Sequence, residues 1–173
     1  IGVGILSLIG AVVISRVLGA DGKGVVTLLF LTPSLVALIL DAGLSIDNVH
    51  KISGTAGGNL RQKYSNSFHW MLLTTPLAIP MCVIGVWLSL RQSGDLVPSY
   101  VLLSVGLSPL ILLVGLNRNI LLGLGNITAY NFNTLLQPLL LLLCIVGLYA
   151  LDLMTVFSVM LAYVASLLIV IVY

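Results

Sequence analysis

Polar side chains are so scarce in this sequence that each one poses a chemical question. Arg16 stands three residues before Gly19, near the end of an apolar run. A guanidinium at that depth either faces inward, where it can line a cavity and meet an anion, or snorkels to the membrane surface. Asp41 is the acid set deepest among apolar neighbours. Its carboxylate could hold a coupling cation or proton, or it could simply end a helix before Gly43. Asn117, Arg118 and Asn119 interrupt the apolar run 113–122 and are expected to face the interior or mouth of a bundle. Asn133 and Gln137, just after Asn131, are four residues apart and share one helical face, which suits hydrogen bonding between helices. The polar stretch 47–66 carries His50, Lys51, Arg61 and Lys63. Its positive charge can attract anionic groups or act as a topological signal.

No pattern here supports an enzyme or a metal centre. There is no P-loop, nucleophile triad or metal-ligand cluster, and Cys82 and Cys144 both lie inside apolar runs where they are expected to pack. No cofactor is implied. His69 as a proton relay is the weaker alternative to an interfacial position beside Trp70, with Trp87 as the anchor at the other end of the same segment. A net charge of +2 is too small to point to nucleic acid.

The elements that must position these groups follow from composition. Hydrophobic residues make up 60% of the 173 residues and charged residues 7%, with a mean hydropathy of +1.22. A soluble domain carries about 25% charged residues, so a bilayer is the solvent that fits. A membrane-spanning helix needs about 20 apolar residues. Polar breaks divide the chain into six such segments, approximately 1–18, 25–46, 67–90, 100–122, 129–151 and 155–173. The runs are continuous rather than alternating, which favours helices over a barrel. The expected fold is an all-α polytopic transmembrane bundle forming one domain over 1–173. Both ends of the sequence are apolar, so we expect a piece of a longer chain. Basic residues are slightly richer in the second and fourth loops, which places those loops on the cytoplasmic side. The first turn, 19–24, holds three glycines; Gly54, Gly57 and Gly58 loosen the second loop.

Pro33, Pro76, Pro80, Pro109 and Pro138 all fall within the proposed helices. Each removes a backbone donor and disturbs the preceding turn. The carbonyl so released needs a partner from a neighbouring helix or a wet cavity. Five such breaks lead us to expect helices bent around a central cavity. The small-residue pairs Ser104/Ser108 and Ala162/Ser166 suit close helix packing.

Three stretches carry a family resemblance. Arg16-Val17-Leu18-Gly19-Ala20-Asp21-Gly22-Lys23-Gly24 resembles the R-x-L-G-x-x-G-x-G turn between the first two helices of polysaccharide (oligosaccharide-lipid) flippases, in the multidrug/oligosaccharidyl-lipid/polysaccharide exporter superfamily. Asp41-Ala42-Gly43-Leu44-Ser45 is similar to the D-x-G-L-S end of the family's second helix. Gly123-Leu124-Gly125, followed by Tyr130-Asn131, is similar to its G-L-G-x-x-x-x-Y-N link between helices four and five. Ala20-Asp21 departs from the family's usual Pro-Glu. The resemblance implies the N-terminal half of a two-lobe transporter in the bacterial inner membrane. Its implied substrate is an undecaprenyl-diphosphate-linked oligosaccharide repeat unit, flipped for polysaccharide biosynthesis. Arg16, Asp41, Lys51, Arg61, Asn117, Arg118, Asn133 and Gln137 become candidates to line the cavity or bind substrate, the cations meeting diphosphate and the amides meeting sugar. The implied partners are the bilayer, the lipid-linked oligosaccharide, a proton or sodium ion, and polysaccharide polymerase machinery. The competing expectations are a cation-coupled multidrug antiporter of the same superfamily and a non-transporting membrane scaffold.

Overall fold

The computed structural model describes residues 2–41, 43–53, 60–90 and 98–172. Within them the chain is all-α: α1 (Gly2–Asp41), α2 (Leu44–Ser53), α3 (Leu60–Leu90), α4 (Pro98–Gly123), α5 (Ile127–Ala150) and α6 (Val156–Val172). Four of these are long and apolar enough to cross a membrane, and α6 is a shorter apolar helix.

Forty residues of straight helix would extend about 60 Å, twice the hydrocarbon thickness. α1 avoids this by breaking at Gly19, where φ is 74° and ψ is −175°. That combination is open essentially to glycine alone. Leu6 and Phe30, on opposite sides of the break, line one recess, and Ile14 and Val26 belong to one buried cluster. Residues 2–18 and 20–41 are therefore two arms folded back on each other. With α3, α4, α5 and α6 they make six apolar rods, of which α6 is the shorter kind of apolar helix.

The boundaries differ from the expected ones in two places. The first turn was expected to occupy 19–24, but the break is confined to Gly19 and helix resumes immediately, so residues such as Lys23 are helical. The second segment ends at Asp41 rather than 46, because Gly43 adopts φ 81°, and Leu44–Ser53 forms α2 in its own direction. Gly54, Gly57, Gly58 and the turn around Arg91 and Asp95 lie outside the described residues.

The second arm is the central rod. It shares one buried cluster with α3, α4 and α6 around Leu29, Leu107 and Met160. A second cluster joins it to the first arm, α5 and α6 through Ile14, Val26, Ile145 and Val159. A third joins it to α3 through Val36, Leu40, Ala78 and Cys82. The outer surface is as oily as the inside: Leu38, Leu73 and Leu102 are each at least 70% exposed. A face of this kind is stable against lipid rather than water, so this is a membrane protein.

The prolines do not ring one space. Pro33 is buried in the central rod. The carbonyl that its missing N–H leaves free is that of Leu29, and Ser104 Oγ of α4 donates to it at 3.4 Å. One turn on, Ser108 Oγ donates to the Pro33 carbonyl at 3.3 Å. Both serines are fully buried, so this break is closed by a neighbouring helix, not by water. Pro76 and Pro80 lie on the exposed face of α3, and Pro138 of α5 borders a recess. A single proline-lined cavity, as expected from the sequence, is replaced by three different settings.

α2 is held against the end of α4 by close backbone approach. A Cβ added at Gly123 would lie 2.8 Å from Ile52 Cβ and 3.4 Å from Val49 Cα. Asn126 then caps α5, its side-chain oxygen accepting from the Ala129 N–H at 3.1 Å. A reciprocal Thr155/Ser158 cap starts α6: the Ser158 N–H donates to Thr155 Oγ1 at 3.1 Å and the Thr155 N–H to Ser158 Oγ at 2.8 Å.

Candidate functional site

The interior polar group is built where the last turns of α4 meet α5 and α6. Arg118 projects from an otherwise apolar helix and is half-buried. Its Nε donates to Asn133 Oδ1 at 3.1 Å. Its Nη2 donates to Gln137 Oε1 at 2.9 Å and to the Asn133 carbonyl at 3.3 Å. The i, i+4 spacing of Asn133 and Gln137 sets two acceptors one helical turn apart, which the planar fork of arginine can reach together. Asn133, itself buried, passes the network on: its Nδ2 donates to the Val170 carbonyl of α6 at 3.4 Å. Tyr163 of α6 lies against Gln137 and close enough to Arg118 to feel its charge. The Tyr163 ring packs on Phe30 of the central rod, centroids 4.4 Å apart.

Two features of this group bear on chemistry. First, Arg118 makes no ion pair among the described residues; its oxygen partners are amides and a carbonyl. An arginine stays protonated, so the cluster keeps a net positive charge inside the bundle. Second, the two N–H groups of Nη1 have no acceptor among the described residues, yet no buried side-chain nitrogen or oxygen there is left without a partner. Nη1 is therefore reachable from outside the cluster. Of the residues around Arg118, Asn117 and Asn133 line a recess of about 310 Å³ bounded by Ile120, Ala129 and the last turn of α6. The arrangement can bind an anion at the guanidinium edge and hydroxyl groups at the amides. It contains no nucleophile or paired acid, and no group of three metal-ligating residues exists among the described residues.

No protein-family model, curated protein or solved structure matches this chain.

The other candidates take separate places. Asn117 shares its recess with Asn133, the one member of the Arg118–Asn133–Gln137 group that lines it. Asp41, the last residue of α1, borders a second polar knot with Asn48, Ser67 and Asn119. There Ser67 Oγ donates to Asn48 Oδ1 at 2.9 Å, with both residues buried. Trp70 Nε1 seals the edge by donating to the Leu40 carbonyl at 3.3 Å. The knot encloses about 20 Å³, room for a water molecule but not for a sugar. Arg16 is exposed next to the Gly19 corner, at the opposite end of the bundle from Arg118. The side chains of Lys51 and Arg61 lie outside what the structure describes. Reasoning from sequence passed over Tyr163, although it is the one aromatic with a polar tip in the aliphatic run 156–172. Asn48 was also missed; it sits in a stretch taken for loop.

Proposed function

We propose that this chain is part of a bacterial inner-membrane transporter that carries an anionic, lipid-linked oligosaccharide between leaflets. The observation that carries this is Arg118: a cation without a carboxylate partner among the described residues, held by two amides, one of which, Asn133, lines a recess. A charge inside a membrane bundle is costly and is characteristically kept for an ion or substrate path. A guanidinium presents paired donors that match the planar geometry of phosphate oxygens, and flanking amides suit sugar hydroxyls. The three motif stretches that resemble oligosaccharide-lipid flippases support the same reading. An exporter of cationic drugs is less well served, because a fixed positive charge at the site repels its cargo.

The test uses the protein reconstituted in liposomes with a fluorescent undecaprenyl-diphosphate oligosaccharide. Transfer between leaflets is followed by quenching from outside. The expected result is transfer that falls at least about tenfold in Arg118→Met, the loss of one charge-assisted hydrogen bond being worth about 1.5–3 kcal/mol. Arg118→Lys should recover only part, since a point charge cannot serve Asn133, Gln137 and a ligand together. Transport of a cationic dye with no movement of the diphosphate lipid would replace this reading by the antiporter. Movement of neither would replace it by the scaffold.

A further inference from the structure

A second recess, which reaches Pro138 next to Gln137, differs from the first in character. It has a volume of about 220 Å³ and is walled by both arms of α1 and by α5. Its lining is mainly aliphatic and aromatic along Ile14, Val26, Phe30 and Leu141, with Ser7 the one hydroxyl on the first arm and small residues such as Ala11 leaving the space open. One charged side chain contributes to the wall, Lys23. It stands four residues after the Gly19 break, at the corner where the two arms turn and where the bundle meets the membrane surface. The fold places it there because helix resumes directly after Gly19. In a six-residue turn Lys23 would have been a loop residue with no fixed relation to the groove. Thr27, one turn deeper, also lines the recess and donates its hydroxyl back to the Lys23 carbonyl at 2.8 Å. Phe30 lies seven residues beyond Lys23, about 10 Å further along the helix. A cation at the surface thus heads an apolar channel that runs inward.

The charges around Lys23 leave it available. Among the described residues it makes no ion pair. Asp21 is exposed and does not reach it, and Arg16, exposed on the other arm, adds a second positive charge near the same corner.

We propose that this recess binds a phospholipid of the bilayer with a net-negative headgroup, its phosphate at the Lys23 ammonium and one acyl chain along the groove between the arms of α1 and α5. The occupant follows from charge complementarity and from the order of the walls. Cationic at the surface and, apart from the Ser7 and Thr27 hydroxyls, apolar below, they follow the profile of a lipid in its own leaflet. A free phosphate would leave the apolar channel unused, and a zwitterionic lipid would bring a cation of its own to a corner that already holds Lys23 and Arg16.

The experiment is native mass spectrometry of the detergent-solubilised protein with phosphatidylglycerol and phosphatidylcholine of equal chain length. A single lysine near the surface is worth about a fivefold preference for the anionic lipid, so the unmodified protein should favour phosphatidylglycerol by about that factor. Lys23→Gln should lower the ratio clearly, leaving only what Arg16 at the same corner supports, and Lys23→Arg should keep it. Ala11→Leu, which fills the groove but leaves the cation, should weaken retention of both lipids. Equal binding of the two lipids by the unmodified protein, or an undiminished preference in Lys23→Gln, overturns the proposal. Glycerol phosphate competing as well as the whole lipid would make this a phosphate site, and retention unchanged by Ala11→Leu would remove the acyl chain from the groove. Lys23 lies outside the Arg118 group, so Lys23→Gln should leave oligosaccharide transfer intact, and the two readings fail separately.

Discussion

Replacing Ser104 by alanine tests whether a proline break in the central rod is mended by its neighbour. Pro33 leaves the Leu29 carbonyl without its helical donor, and Ser104 Oγ is the group that reaches it, at 3.4 Å. Both ends of this contact are fully buried, so water cannot take over. Hydrogen bonds between membrane helices average about 0.6 kcal/mol and reach about 1.7, while a stranded buried acceptor costs about 1–3 kcal/mol. The bond is long, which argues for the lower part of that range, so Ser104→Ala should cost about 1–1.5 kcal/mol. Ser108→Ala is the internal control. The Pro33 carbonyl that Ser108 serves still has the N–H of Ala37 ahead of it in the helix, so the loss there should be about 0.5 kcal/mol. Pro33→Ala returns a donor to Leu29. In that background Ser104→Ala should cost about 0.5 kcal/mol, a coupling of about 0.5–1 kcal/mol in a double-mutant cycle. Unfolding in mixed micelles of increasing SDS fraction gives the free energies, read from Trp70 and Trp87 on α3. If Ser104→Ala costs the same with and without Pro33, the serine is only filling space and the argument fails.

Two further substitutions probe the corners. Gly123→Ala forces a methyl to within 2.8 Å of Ile52 Cβ and 3.4 Å of the Val49 backbone; overpacking of this kind costs about 1–3 kcal/mol, whereas Gly115→Ala, with nothing within 4 Å, should be neutral or slightly stabilising in the same SDS titration. Gly19→Ala places a side chain at φ 74°, ψ −175° at a cost of about 1–3 kcal/mol, which the same SDS titration should register as a loss of stability.

How much of this was legible in the sequence depended on whether a signal was local. Six apolar segments long enough to span a bilayer announce six rods, and lipid leaves the backbone no alternative to helix. The Asn133/Gln137 pair was legible because its spacing alone places both on one face. That the pair holds Arg118 was not, because fifteen and nineteen residues separate them and only the packing of α4 on α5 brings them together. The glycine turn was readable as a turn, but polarity exaggerated its extent. Asp21 and Lys23 can end a hydrophobic run without ending a helix, and only Gly19 takes a conformation that breaks it. α2 escaped for the opposite reason: ten residues of mixed polarity are too few for periodicity to separate helix from loop. The prolines showed where carbonyls are released, but nothing in the sequence says what receives them. Ser104 and Ser108 were noted as small, and their size does suit close packing. Their role as donors becomes visible only when they face Pro33.

The balance at Arg118 is what separates a binding group from a strut. Holding a guanidinium at helix depth costs about 2.5–3.5 kcal/mol on insertion scales. Three hydrogen bonds to neutral acceptors, each charge-assisted bond contributing about 1.5–3 kcal/mol, are enough to offset that cost. A purely structural role would be served by a glutamine, which would join α4 to α5 without placing a charge at that depth. If structure were the whole purpose, a nearby carboxylate would be the efficient complement, but Arg118 pairs with none among the described residues. Two amides fix the orientation of the plane without neutralising it, so the charge stays available along the Nη1 edge. Substitution of Gln137 by Glu inverts this arrangement. It would add a bidentate carboxylate partner and stabilise the α4–α5 contact, and it should at the same time suppress anion transfer by occupying the guanidinium. A Gln137→Glu variant both more resistant to SDS and less active separates these roles; one that is more stable and equally active would return Arg118 to the scaffold.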